Sequence, residues 1–206
     1  MAETPDAPVP NEVLATALRL QEFCRGMGWQ FCFIGGLAVQ KWSEPRVTDD
    51  VDITLMTGFG KEQPFIDALL ALDWIEPRNP HAREWALTRR VLLLQTKDGV
   101  GMDIAMGAFP FEQQAVSRAV EVEFLPGCSL RICTAEDLII YKAFATRAKD
   151  WLDVEAVLKR QGAGNLDWRH IREQLTPLLA LKEAPELLDQ LEALREKIHR
   201  RQQGAT

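Results

Sequence analysis

The chain lacks any long hydrophobic run. None of its apolar stretches approaches the ~18–20 residues that a helix needs to cross a bilayer, so the sequence predicts no transmembrane span. The opening residues MAETPDAPVPNEV are acidic and contain several prolines but no apolar centre, a composition that predicts no signal peptide. Together these features predict a cytoplasmic protein.

Cysteine and histidine are too sparse to suggest a metal-binding motif of their own. The four cysteines show no Cys-x-x-Cys spacing, and the three histidines are scattered without ligand spacing. This pattern indicates buried or half-buried thiols in a reducing compartment.

Positive charge is in deficit. The net charge is −6 and the pI about 5.2, which argues against a protein that coats nucleic acid through bulk charge. A local basic patch remains compatible with these values. The acidic balance fits an acidic metal site, and it fits a surface rich in carboxylates equally well.

The chain divides into two parts by its hydrophobic period, and its length of 206 residues suffices for one core domain and a smaller appendage. The first part predicts helices at 11–27, 36–42 and 64–72, strands at 29–34, 51–56, 84–96 and 100–106, a loop at 73–82 and a hairpin across 116–133. The second part has a period near 3.6 and predicts helices at 135–147, 150–161, 167–178 and 184–202. We therefore predict an α+β domain at 1–133 and a helical domain at 134–206.

Two aspartates stand two positions apart where an apolar run begins. Asp50 and Asp52 leave the same face of the predicted strand, because successive side chains alternate between faces. Two carboxylates held in this way repel each other unless a cation lies between them. Mg²⁺ prefers such oxygen ligands, and nucleotidyl transfer uses metal ions held by them. The pair therefore predicts a magnesium site.

A third aspartate interrupts another predicted strand. Asp103 is flanked by Met102 and Ile104, and a charged residue in a buried strand needs a partner or a metal. It could ligate a second ion, accept the proton of an attacking nucleophile, or simply face water at the end of its strand.

Residues ahead of the aspartate pair could bind phosphate. Gly35 and Gly36 allow close backbone approach at the start of a helix, whose dipole favours an anion. Arg46 could hold a triphosphate, orient Asp52 or be a solvated loop residue. Thr48 could cap a turn or donate to a phosphate.

The helical part contributes a second set of candidates. Lys142 could reach the β- and γ-phosphates of a nucleotide or face solvent, as most helix lysines do. Arg147 flanks approximately the same surface. Asp150 and Asp153 could position the lysine, and Asp150 could instead cap the next helix.

These motifs resemble those of a known superfamily. FIGGLAVQ and EPRVTDDVDITL resemble the first motif of the DNA polymerase β-type nucleotidyltransferases, in which a Gly-Gly or Gly-Ser turn precedes an Asp-x-Asp strand. The Arg-x-Thr-x-Asp-x-Asp form is closer to that of the AbiEii-type nucleotidyltransferase toxins. GMDIA resembles the strand with the third carboxylate, here Asp103. TAEDLIIYKAFATRAKDWLDVEAVL resembles the family's helical motif, which places its functional residues at Lys142, Arg147, Asp150 and Asp153.

The resemblance implies a nucleotidyltransferase fold, a small mixed sheet flanked by helices, followed by a C-terminal helical bundle. It implies transfer of a nucleoside monophosphate from an NTP with one or two Mg²⁺ ions, for which Mn²⁺ can substitute. It further implies metal ligation by Asp50, Asp52 and Asp103, with Lys142 neutralising the triphosphate. The implied nucleotide-binding residues are Gly35, Gly36, Arg46, Thr48, Lys142 and Arg147.

The acceptor and the biological role are left open by the sequence. Toxins of the AbiEii type often modify a tRNA 3′ end and are restrained by a cognate antitoxin, and some relatives modify a protein instead. The acidic balance of this chain is unlike that of many tRNA-modifying toxins. An aminoglycoside or other small-molecule nucleotidyltransferase is the alternative enzyme, and a binding module without turnover is the alternative of another class.

Overall fold

The structure, a computed structural model, describes residues 11–44 and 46–204. The described residues form nine helices and seven strands. The helices are α1 (Glu12–Gly26), α2 (Gly35–Trp42), α3 (Gln63–Leu70), α4 (Ala82–Arg89), α5 (Pro110–Arg118), α6 (Ala135–Ala145), α7 (Ala148–Gln161), α8 (Trp168–Leu181) and α9 (Glu186–Gln203). The strands are β1 (Phe31–Phe33), β2 (Asp50–Met56), β3 (Ile75–Pro77), β4 (Val91–Thr96), β5 (Gly101–Gly107), β6 (Val120–Leu125) and β7 (Cys128–Ile132).

Contacts divide the chain into two compact units. The first contains the described part of Met1–Leu37 together with Thr48–Ile132, and the second contains the described parts of Ala38–Val47 and Cys133–Thr206. Helix α2 begins in the first unit and continues in the second. The sequence-based division into residues 1–133 and 134–206 stays a prediction.

The first unit contains one mixed sheet with the strand order β3-β4-β5-β2-β1-β7-β6. The two strands at its centre that bear the predicted carboxylates, β2 and β5, are parallel, and β5 pairs on its other side with antiparallel β4. Alternate residues of these strands are fully buried, among them Ile53, Leu92 and Ile104. Burial of these apolar side chains stabilises the sheet and holds the register of β2 against β5.

The second unit is helical. Helix α6 packs against α7 and α8, and α9 packs against α6, α7 and α8. Leu138, Leu158, Ile171 and Leu191 are buried and supply its apolar core. Among the residues described, no helix has both the length and the apolar character that a bilayer span requires.

Capping side chains and glycine turns define the ends of several elements. Asn11 caps α1, its side chain accepting a hydrogen bond of 2.8 Å from the backbone N–H of Leu14. Thr134 caps α6 in the same way by accepting from Asp137. The turns between β4 and β5 and between β6 and β7 contain Gly99 and Gly127, with φ of +89° and +77°, a backbone region that glycine adopts without strain.

The prediction of one strand over residues 84–96 is wrong in its first half. Residues Ala82–Arg89 form helix α4, in which Ala82 and Ala86, four residues apart, are both buried. Arg90 ends the helix in the left-handed conformation with φ of 56°, and strand β4 then begins at Val91. Residues four apart share a helix face, so the two alanines give α4 a buried side. The strand pattern applies only to the residues that follow, from Val91 onwards.

Two short elements were missed. The predicted loop at 73–82 contains strand β3, which pairs antiparallel with β4. Helix α5 begins with Pro110, and the carboxylate of Glu112 accepts hydrogen bonds from the backbone N–H groups of Ala108 and Phe109. Proline in the first turn with an acidic residue two positions later is a helix-start signal.

The cysteines have the burial that was predicted for them. Cys24, Cys32 and Cys133 are buried and Cys128 is half-buried. Burial raises the pKa of the Cys24 thiol to about 12. This thiol is therefore protonated and unreactive at neutral pH.

Candidate active site

Strand register brings the three predicted carboxylates onto one face of the sheet. Asp52 of β2 lies directly beside Asp103 of parallel β5, and Asp50 lies two residues before Asp52 on the same strand. Aligned residues of neighbouring strands point to the same side, as do residues two apart on one strand. Asp50 is exposed, while Asp52 and Asp103 are half-buried.

Glycines provide the space that two of these carboxylates occupy. Gly35 has φ of +58°, and a Cβ built on it would overlap the Asp52 carboxylate and lie 2.6 Å from the Asp52 Cβ. A Cβ on Gly101, the partner of Asp50 in the register, would overlap Asp50 Oδ1. A side chain at either glycine would therefore displace a carboxylate from its present position.

The Gly-Gly turn also meets the residues that precede the aspartate pair. The backbone N–H of Gly36 donates to Asp52 Oδ2 at 3.3 Å, and a Cβ on Gly36 would overlap the hydroxyl of Thr48. That hydroxyl donates to the carbonyl of Asp50 at 3.4 Å. Gly35, Gly36 and Thr48 thus border the carboxylates, and their binding of phosphate stays a prediction.

We expect Gly35→Ala to unfold more easily than the wild type and to lose the site. Alanine in the left-handed region costs ~1–2 kcal/mol by itself, and its Cβ would in addition displace Asp52 from the strand position that it occupies. Urea unfolding and Mn²⁺ binding would measure both effects. Gly60→Ala is the matched control, because Gly60 has φ of +70° but open space around its Cα. Equal losses in the two variants would contradict the role of Gly35 in seating Asp52.

Asp103 has an arginine partner that the sequence did not reveal. The guanidinium of Arg78 forms an ion pair with Asp103 Oδ1, and this oxygen is buried without a hydrogen-bond partner among the described residues. Within residues 11–44 and 46–204, no three Asp, Glu, His or Cys side chains are grouped closely enough to enclose an ion. The donor chemistry, the register and the glycine-lined space nevertheless suit a divalent cation at Asp50 and Asp52, and metal binding by the three aspartates stays a prediction.

The helical unit gathers the other predicted residues around a buried lysine. Lys142 Nζ donates to Asp150 Oδ1 at 3.1 Å and to Asp153 Oδ2 at 2.8 Å, and all three side chains are buried. Lys142 is therefore not the solvent-facing helix lysine that was the alternative. Its contact with a triphosphate stays a prediction.

Arg46 and Arg147 complete this network. Arg46 binds Asp153 with two parallel hydrogen bonds of 3.1 Å, the fork geometry in which a guanidinium holds a carboxylate. Arg147 binds Asp150 through Nε at 2.7 Å. The roles of both arginines in nucleotide binding stay predictions.

Asp150 caps the start of α7, although it does so from the third helical position and is not the N-cap residue itself. Helix α7 begins at Ala148, so Asp150 is its third residue and its carboxylate reaches back to the backbone N–H of Arg147 at 3.2 Å. Burial would raise the pKa of Asp150, but hydrogen bonds and charges from Arg147 and Lys142 outweigh it, and the pKa lies below its ordinary value. Asp150 is thus held as an anion.

We expect this anion to make folding sensitive to acid. A lowered pKa in the folded state gives stabilisation that is complete above the pKa of the unfolded carboxyl. It is lost as the pH falls through the lower pKa of the folded one. The free energy of unfolding should therefore decrease below about pH 4. Urea unfolding at a series of pH values would measure the slope, which should be shallower in Asp150→Asn. An unchanged slope in that variant would contradict the assignment.

Two further site residues were missed by sequence reasoning. Gly101 was passed over because a single glycine in a strand is a weak signal without the register that places it beside Asp50. Arg78 was passed over because it follows β3, which was predicted to be loop. Assigning that strand would have placed Arg78 in the sheet near the carboxylates.

No model of a known protein family matches the chain, and no curated protein matches its sequence. Among solved structures, the chain is similar to an antigenic nucleotidyltransferase-like protein from Paracoccidioides brasiliensis. The identity is 16%, the TM-score is 0.51, and the match covers 91% of this chain and 95% of that one. The similarity shows a nucleotidyltransferase fold, and it confirms the predicted fold class with its C-terminal helices.

Two other solved structures are similar over most of their length. A putative nucleotidyltransferase from Helicobacter pylori is 15% identical with a TM-score of 0.45, over 96% of this chain and 99% of that one. The antibiotic-resistance factor ANT(2'')-Ia is 15% identical with a TM-score of 0.44, over 93% of this chain and 92% of that one. The AbiEii subtype stays a prediction.

Proposed function

We propose that the chain transfers a nucleoside monophosphate from an NTP to an acceptor hydroxyl and releases pyrophosphate. The observation that carries this proposal is the position of Asp52, which lies against the Gly35–Gly36 turn and in register with Asp103. A carboxylate pair beside a glycine turn at a helix start is what a metal-bound triphosphate requires.

The carboxylates have distinct roles in this proposal. Asp50 and Asp52 would hold Mg²⁺ together with phosphate oxygens, and Asp103 would be the third ligand or the general base. The bound Mg²⁺ would supply charge stabilisation for the phosphates during transfer. Phosphate would lie near the start of α2, where the helix dipole favours an anion.

The proposed transfer needs no reactant other than the NTP and the acceptor. The acceptor oxygen forms a bond to the α-phosphorus, while the bond from that phosphorus to the bridging oxygen breaks and pyrophosphate leaves with its electron pair. The proton of the acceptor hydroxyl passes to a carboxylate oxygen of Asp103 and then to solvent. Asp103 is suited to this because it lies directly beside Asp52 on the neighbouring strand.

The role in the cell is proposed from the motif resemblance. We infer a toxin-like enzyme whose acceptor is a tRNA 3′ end or a protein and whose activity a cognate antitoxin restrains. Lys142, Arg46, Arg147 and Thr48 are proposed to contact the nucleotide on the same basis. The support is the Arg-x-Thr-x-Asp-x-Asp form and the Lys-to-Asp helical motif in the sequence.

The test is a labelling experiment with each of the four α-³²P-labelled NTPs and Mg²⁺. Separate reactions contain total tRNA, the protein alone, or an aminoglycoside. We expect label in tRNA or in the protein band with the wild type and none with Asp52→Asn. Label on the aminoglycoside instead would establish a small-molecule enzyme. Absence of label in every reaction, with a folded protein, would contradict nucleotidyl transfer to these acceptors and favour a module without turnover.

A further inference from the structure

Arg78 lies one strand away from the carboxylate that it contacts. Its backbone N–H donates to the carbonyl of Leu93 at 3.1 Å, and Leu93 of β4 pairs with Asp103 of β5 in the register. Arg78, Leu93 and Asp103 therefore form one row across the sheet. The arginine side chain crosses β4 in this row and places its guanidinium on Asp103 Oδ1.

The same guanidinium lies close to a second carboxylate. A Cβ built on Gly101 would lie 3.3 Å from Arg78 Nη1 and would overlap Asp50 Oδ1, so both groups border one small space above Gly101. Arg78 Nη2 also donates to the carbonyl of Met102, at a long 3.4 Å. The positive charge of Arg78 thus lies between Asp50 and Asp103.

This placement offsets repulsion within the carboxylate group. Three aspartates on one face of two neighbouring strands destabilise one another as anions unless a cation is close. The guanidinium supplies that cation, because arginine stays protonated at any ordinary pH. Its contact with Asp103 Oδ1 is an ion pair, so a divalent cation bound at the same oxygen would compete with it.

Side-chain exposure is compatible with such a replacement. The Arg78 side chain is 28% exposed and that of Asp103 is 39% exposed, so the pair is neither locked in a core nor fully solvated.

We infer that Arg78 is a displaceable cation that occupies the metal side of Asp103 and must leave it when a divalent ion binds. This inference rests on the proposed function, because it takes Asp103 to be a metal ligand. Arg78 would then set how much free metal the site needs before Asp103 joins it. The opposite role would be a positioning residue that holds Asp103 towards the metal, and its removal would weaken metal binding.

The two roles predict opposite changes in the binding of metal alone. Titration of the full chain with Mn²⁺, followed by the loss of the free-ion EPR signal, would give the dissociation constant without any nucleotide or turnover. We expect Arg78→Gln to bind Mn²⁺ about tenfold more tightly than the wild type, since the ion no longer competes with a partly exposed ion pair. In an Asp103→Asn background the same substitution should have no such effect, because the carboxylate that Arg78 blocks is absent.

Arg83→Gln is the matched control. Arg83 forms an ion pair with Asp67 in the same unit. The variant therefore loses one arginine and one ion pair, but neither of them involves Asp50, Asp52 or Asp103. It should bind Mn²⁺ as the wild type does, which separates the local effect from a change in net charge. Circular dichroism would confirm that every variant is folded.

The affinities of the wild type and of Arg78→Gln for Mn²⁺ distinguish the two roles of Arg78. Tighter binding in Arg78→Gln alone supports a displaceable cation. Equal or weaker binding in Arg78→Gln, with clear binding by the wild type, overturns it and leaves the proposed function standing. Failure of both the wild type and Arg78→Gln to bind Mn²⁺ would overturn the inference and the metal site of the proposed function together.

Discussion

Asp52→Asn should lower the rate of nucleotidyl transfer by at least about a thousandfold, because a ligated metal ion contributes several kcal/mol of charge stabilisation. Asparagine has the shape of aspartate, so its side-chain oxygen can still accept from the backbone N–H of Gly36 and fits the space above Gly35. The change removes the charge and little else. Pyrophosphate release and α-³²P transfer would both be measured.

Asp49→Asn is the control for this loss. Asp49 adjoins Asp50 but is exposed and lies before strand β2 begins. Its replacement by asparagine removes one negative charge from the same segment, as Asp52→Asn does. It should retain the wild-type rate. An active Asp52→Asn, or equal losses in both variants, would show that the strand carboxylates do not form the active site.

Lys142→Met should lower the free energy of unfolding by up to ~3–5 kcal/mol, because removing the central cation of a buried ion-pair network leaves two buried carboxylates only partly compensated. Asp150 would keep Arg147 and Asp153 would keep Arg46, but the buried centre of the network would lose its cation. Methionine matches the length of the lysine stem, so packing changes little. Urea unfolding at neutral pH would measure the effect.

Lys159→Met is the matched control in the same unit. Lys159 pairs with Glu155 four residues earlier on α7 at 2.6 Å, but its side chain is 55% exposed. Exposed pairs of this kind contribute at most about 0.5 kcal/mol. A similar small loss in Lys142→Met would mean that solvent reaches the buried network and screens it.

Asp50 and Asp52 show what the alternation of side chains along a strand can predict. Asp50 and Asp52 were placed on one face of a strand from their spacing alone, and β2 begins at Asp50. The alignment of Asp52 with Asp103 depends on the register between β2 and β5, which are separated by β3, α3, α4 and β4 in the chain. Register follows from packing of the whole sheet, so residue patterns predicted the strands, and only the motif resemblance brought Asp103 to the aspartate pair.

Arg78 shows how one missed element hides a functional contact. Strand β3 has three residues, among them Pro77, and proline argued for loop. The strand lies at the edge of the sheet, where a proline is tolerated because one side of its backbone has no partner strand. Without β3 there was no reason to place Arg78 in a row with Asp103.

Lys142 shows what helical spacing alone does not predict. The helical spacing placed it on α6, but its burial depends on where Asp150 and Asp153 lie when α7 packs against α6. The left-handed Thr146, with φ of 64°, ends α6 before α7 begins. Sequence motifs identified the residues of the network and suggested that Asp150 and Asp153 position the lysine, but they did not show that Arg46 and Arg147 bind these aspartates.

The most direct test of the proposed active site is a crystal structure with Mn²⁺ and an NTP analogue that resists cleavage between its α- and β-phosphates. The anomalous signal of manganese would locate the ion independently of the nucleotide. We predict an ion bound by Asp50 and Asp52, with the phosphates near Gly35 and Gly36 and Asp103 turned from Arg78 towards the metal. An ion and a triphosphate bound elsewhere, with Asp103 still paired to Arg78, would contradict the proposed site.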